Sequence, residues 1–158
     1  MESQLKLFDE ISSLKQNKET PKESNRKFCK DLEEILLTLG FSETENKSPN
    51  LNQFKKRSQY KDMYDSNRHS AFLLNHNVHG LLRIEAHRQI QSGSVDQKFP
   101  FFLESLNNAP ENKAILVFDG NGYKNEAFQW LLNNAERNKD KEIKVFGTIN
   151  SFINHIKY

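Results

Sequence analysis

With 158 residues, 28% of them charged, and a formal net charge of +2, the chain has the length of one ordinary domain and lacks the basic excess that coats nucleic acid. A domain of this size buries roughly 70% of the surface its unfolded chain exposes, so no disulfide or structural metal has to replace a core. Cys29 is the only cysteine, which excludes an intramolecular disulfide and suits a reducing cytoplasmic compartment; no apolar run is long enough to span a membrane, and MESQLKLFDE lacks a signal peptide's apolar core.

In chain order, Leu5, Phe8, Ile11 and Leu14 recur at helical spacing and predict a first helix. The polar stretch from Gln16 to Glu23, with Pro21, is expected to end it. A second helix carries the stripe Phe28, Leu32, Ile35, Leu36 and Leu39, with Gly40 placed to terminate it. Residues 41–64 are polar and rich in Asn, Lys and Ser, and read as a long connection. Two strands follow, Ser70 to Asn75 and Leu81 to Ala86, close enough to pair as an antiparallel hairpin. Phe99 to Asn107 predicts a helix with Pro100 in its first turn. Lys113 to Asp119 is a strand whose unbroken apolar run predicts burial on both faces. A helix over about Asn125 to Arg137, a strand over Glu142 to Phe146 and a helix over Ile149 to Ile156 complete the chain. The expected fold is α/β: a central mixed four-stranded sheet flanked by helices, after an N-terminal helical segment. Residues 1–158 are read as a single domain, with helices in 1–40, the connection in 41–64 and the core in 65–158.

Glu85 draws attention because it lies in an otherwise apolar strand. A buried carboxylate costs several kcal/mol unless it is paired or holds metal. On spacing alone, the simpler expectation is an ion pair with Arg83 on the same face. Lys55, Lys56, Arg57 and Lys61 form the densest basic cluster, readable as a solvated loop or as a phosphate-contacting patch. Asp119-Gly120-Asn121-Gly122 reads as a tight turn, since it lacks the ending of a P-loop. His69, His76, His79 and His87 are too irregularly spaced for a zinc site. Cys29, Phe101, Phe102 and Trp130 read as core.

The stretch IEAHRQIQSGSVDQKF, Ile84 to Phe99, resembles the PD-(D/E)XK nuclease superfamily, in particular restriction-type bacterial and phage nuclease domains. AILVFDGNGYK, EAFQWLL and IKVFGTINSFINHI extend the resemblance to about Tyr60 through Lys157. It implies a restriction-endonuclease-like core and Mg²⁺-dependent phosphodiester hydrolysis of DNA. Carboxylates on adjacent strands would hold Mg²⁺, and a nearby cation would stabilise developing charge.

Carried over by position, Glu85 is the metal-holding acid, and His87 falls where the family has lysine. Gln89 is the following glutamine, and Lys98 is a cation that could reach the site. Ser92 and Ser94, in the turn, could meet DNA phosphate through their backbone N–H groups. The first-strand acid falls on Ala71, and a family acid falls on Gln97. Asp65, Asp31, Glu33 and Glu34 are the candidates to replace the missing carboxylate. Two readings stay open: an active endonuclease, or a non-cutting DNA-binding or scaffold subunit of a restriction or defence assembly. A protein-interaction module is a third. Cutting both strands symmetrically would favour a homodimer or a partner subunit.

Overall fold

The computed structural model describes residues 20–89 and 95–157. The helix expected over Leu5 to Leu14, and Ser92 and Ser94, lie outside these residues. Helix α1 runs Pro21–Thr38. Thr20 is its N-cap: its side chain accepts the Glu23 backbone N–H, and Glu23 accepts the Thr20 N–H in return. Pro21 opens this helix, where a missing N–H leaves nothing unsatisfied. Gly40, at φ 100°, ends α1, and the Phe41 and Gly40 N–H groups bond the Leu36 and Leu37 carbonyls.

Six strands form one mixed sheet in sequence order: β1 (Ser42–Glu43), β2 (Gln53–Lys61), β3 (Asn67–His76), β4 (Gly80–Arg88), β5 (Lys113–Asp119) and β6 (Glu142–Phe146). The pairs β2–β3 and β3–β4 are antiparallel; β1–β2, β4–β5 and β5–β6 are parallel. A 3₁₀ turn (Val95–Lys98) leads into α2 (Phe99–Asn108), which connects β4 to β5. Helix α3 (Asn125–Glu136) connects β5 to β6, and α4 (Ile149–Ile156) follows. The α/β class stands, with two strands more than expected.

Residues 41–64 are the largest correction. They hold β1 and β2, and β2 pairs with β3 along seven rungs. The basic cluster therefore lies on a strand of the sheet. Its apolar pattern was illegible because β2 changes phase midway. Phe54 belongs to the core on the α1 side and Tyr60 to the core on the α2 side, although both are even-numbered. Uniform alternation would place them together.

The phase changes where Lys56 and Arg57 both border the α1 side, with Arg57 at φ 49°. β3 breaks at the same rung: Ala71 and Phe72 both face α1, while Ser70 and Arg68 meet Arg83 and Glu85 on the other face. Pairing resumes in register, Lys56 with Phe72 and Ser58 with Ser70, leaving Arg57 and Ala71 unpaired in the ladder.

Two apolar layers sandwich the sheet. Phe28, Leu32 and Leu36 of α1 and Phe152 and Ile156 of α4 pack on Phe72, Leu82, Ile84 and Val117. Phe99, Phe102 and Leu106 of α2 and Leu131 of α3 pack on Leu116, Phe118 and Ile143. Strand β5 feeds both layers alternately, as its unbroken apolar run predicts. Trp130, expected in the core, is 42% exposed on the outer side of α3.

Candidate functional site

Glu85 sits on the α2 side of β4, 3% exposed. Its partner is not Arg83. Arg68, near the start of β3, places Nε 3.0 Å from Oε1 and Nη2 3.0 Å from Oε2, a two-bond clamp. The Tyr60 hydroxyl donates to Oε1 at 2.7 Å. His87 Nε2 stands 3.3 Å from Oε2, at an angle that makes no hydrogen bond. The His87 ring stacks on Phe102, centroids 3.9 Å apart. The Arg68 guanidinium lies over Phe101 and Phe102. Burial alone would push the Glu85 carboxyl up, but His87 and Arg68 outweigh it and bring the pKa from 4.5 down to about 2. Burial, and then the Glu85 charge, push the Tyr60 phenol up, so it stays a donor.

Arg83, two residues earlier, is bound elsewhere. It pairs with Glu111, Nε to Oε1 at 2.7 Å, and donates to the Ser58 carbonyl and the Ser70 hydroxyl. The expected Glu85–Arg83 pair thus becomes two separate pairs, because Arg68 reaches Glu85 from β3 and Arg83 reaches Glu111 in the loop between α2 and β5.

The other expected site residues do not converge on Glu85. Gln89 is buried and ties the end of β4 to the turn after β5. Its backbone N–H bonds the Asp119 carbonyl, and its side chain donates to the Gly122 carbonyl. Tyr123 adds to the same corner, donating to the carbonyls of His87 and Asp119. Lys98 is exposed in the turn before α2. Ala71 packs in the α1-side core, behind the sheet from Glu85. None of the proposed replacement acids fills its place. Asp31 pairs with Arg88 and Glu33 with Lys56, while Glu34 and Asp65 are exposed.

The basic cluster is split as well. Lys55 Nζ turns back to the Lys56 carbonyl, Lys56 pairs with Glu33 and Glu43, and Lys61 bonds Asn67. Arg57 projects exposed. Cys29 is partly buried against the α1-side core, and burial holds its thiol up at about 11, so it is no nucleophile at neutral pH.

These elements, in this order and with an acid on the fourth strand, define the scaffold. A family model described as a PD-(D/E)XK nuclease superfamily domain matches residues 20–156. The chain belongs to that superfamily. No curated protein and no solved structure matches it. The match begins well before Tyr60, where the sequence resemblance starts, and so takes in α1 and the two unforeseen strands.

Within a PD-(D/E)XK domain the question is whether Glu85 can hold a divalent cation. Mg²⁺ asks for several oxygen ligands in a near-octahedral set. Both Glu85 oxygens are already bonded, a guanidinium lies against them, and an imidazole lies beside them. Among the described residues, no group of three or more His, Cys, Asp or Glu side chains could hold a metal ion. The described residues around Glu85 do not fit a divalent cation. Sequence reasoning missed Arg68 and Tyr60, the residues that decide this. Their signal was weak, since Arg68 stands in a polar run and Tyr60 in the supposed connection. No helix among the described residues is long and apolar enough to cross a membrane.

Proposed function

We propose that this PD-(D/E)XK chain is a nucleic-acid-binding protein that does not cleave phosphodiesters through Glu85. The observation that carries this reading is the closed cage around that carboxylate: two bonds from Arg68, one from Tyr60, and His87 beside it. A buried acid already held by a guanidinium would have to shed that partner before it could hold a metal, leaving a half-buried cation uncompensated. Glu85 then serves the scaffold, fastening β2, β3 and β4 together. Membership in a nuclease superfamily supports DNA as the ligand. In a restriction or defence assembly, cutting would fall to a partner subunit.

The test combines gel retardation of DNA at low salt with a plasmid-nicking assay in Mg²⁺ or Mn²⁺, using the wild type and Glu85→Gln. The expected result is retardation by the wild type, with no nicking above the protein-free blank from either protein. Nicking by the wild type that Glu85→Gln abolishes would overturn the reading and restore Glu85 as a metal ligand.

A further inference from the structure

The α1 side of the sheet carries a groove of about 750 Å³ between α1 and the broken rung of β2 and β3. Lys22, Arg26 and Lys30 form one wall, Lys56 and Arg57 the other, and Glu33 is the one carboxylate on its lining. Five cations to one carboxylate give the groove a charge of +4, twice the +2 of the whole chain. Among the described residues, Lys22, Arg26, Lys30 and Arg57 have no ion-pair partner; only Lys56 is paired, to Glu33 and Glu43. The comparable hollow between α3 and β6 is different. There Glu136 and Glu142 stand among Lys139, Lys141 and Lys144, and Glu142 pairs with Lys144.

Two features of the groove point to its occupant. Lys22, Arg26 and Lys30 follow one another at intervals of four, a straight row rising about 6 Å per step. Like charges at that spacing repel and cost the helix about 0.2–0.5 kcal/mol per pair. A row of counter-charges along the groove would remove that cost. The floor holds Ala71, Cys29 and Phe72, with no carboxylate to repel an anion and no exposed aromatic ring on which a base could stack. The ligand fitted by such a lining is a chain of phosphates, recognised without regard to base sequence. Cations on both walls suit one strand lying between them; a duplex would meet only the rim.

We infer that the groove between α1 and the β2–β3 break binds the phosphodiester backbone of a single nucleic-acid strand. This rests on the nucleic-acid-binding reading above and assigns it a place, on the opposite face of the sheet from Glu85. The row on α1 is the principal contact, and Arg57 faces it.

The test is fluorescence anisotropy with a labelled 20-nucleotide single strand of mixed sequence, and with its duplex, across a salt series. Single-strand affinity falls with salt by about 0.7 log units per log unit of salt for each neutralised phosphate. The combined variant Lys22→Gln, Arg26→Gln, Lys30→Gln is expected to flatten that slope by about 2, and Arg57→Asn by about 0.7. Asparagine tolerates the left-handed backbone at that position. A control of equal charge change away from the groove, Lys47→Gln, Lys124→Gln, Lys139→Gln, is expected to leave the slope near the wild-type value. Circular dichroism verifies that all variants are folded. Equal flattening by control and α1 variants would overturn the groove, as would duplex binding tighter than single-strand binding and indifferent to the α1 row. Wild-type protein that binds neither probe would overturn the nucleic-acid-binding reading itself; wild-type binding unchanged in the α1 variant would overturn only the groove.

Discussion

The two faces of this sheet treat charge in opposite ways. On the α2 side, Glu85 is clamped by Arg68 and Glu111 by Arg83, all four in a layer crowded with Phe102, Phe118 and Tyr60. On the α1 side, an apolar core of Phe28, Leu32 and Phe72 ends at a groove whose cations stand largely unpaired. Buried charges must find partners or be lost from a fold, because desolvation is expensive. Solvated charges need none and remain available to a ligand. The buried acid that first suggests catalysis is therefore the least available charge, while lysines and arginines that look like ordinary helix surface are the most available.

The largest expected effect breaks the contrast from the buried side. Glu85→Ala leaves the half-buried Arg68 guanidinium and the buried Tyr60 hydroxyl without their acceptor and should cost about 1–3 kcal/mol in urea unfolding. A loss below about 1 kcal/mol would mean that water reaches Arg68 freely and that the cage is not a buried pair.

A smaller effect sharpens the contrast from the groove side. Arg57 holds φ 49°, a conformation costing an L-residue roughly 1–2 kcal/mol, whereas glycine adopts it freely at an entropic cost of about 0.5–1 kcal/mol. Arg57→Gly should accordingly be neutral or stabilise by up to about 1 kcal/mol, although it removes a groove cation. Destabilisation by more than about 1 kcal/mol would show that the arginine side chain itself holds the wall.

The smallest effect concerns pH at the far end of the α1-side layer. Burial first, then His79 and Lys144, bring the His155 ring down to about 4. Its ring stacks on His79, centroids 4.2 Å apart, and His79 Nε2 contacts the His155 carbonyl at 3.0 Å. A depressed histidine binds its proton first in the unfolded chain, so its contribution is intact above about pH 6.5 and is lost as pH falls from there towards about 4. Thermal melts of the wild type and His155→Asn between pH 7 and 4 should converge as pH drops. Parallel melting curves across that range would remove His155 as the titrating group.

Much of the second half of the fold could be read directly. β5, β6 and α4 lie where their apolar patterns place them, because each buries a simple periodic face. β2 could not be read. Its apolar residues, Phe54 and Tyr60, serve opposite faces across a phase break, and lysine, arginine and glutamine fill the space between. The candidate site was legible in two residues, Glu85 and His87, which the structure places side by side on β4. Glu85 is buried as its strand context requires, but its partners come from β2 and β3, 25 and 17 residues earlier.

The order of amino acids by itself determined the α/β class, the superfamily resemblance and the presence of a carboxylate inside β4, since these follow from local periodicity and short motifs. Only the tertiary structure decided what that carboxylate does. Whether an acid binds metal or an arginine depends on which distant strands deliver which side chains within about 3 Å. That delivery is set by sheet register and by the break at Arg57 and Ala71, neither of which leaves a local trace in the chain.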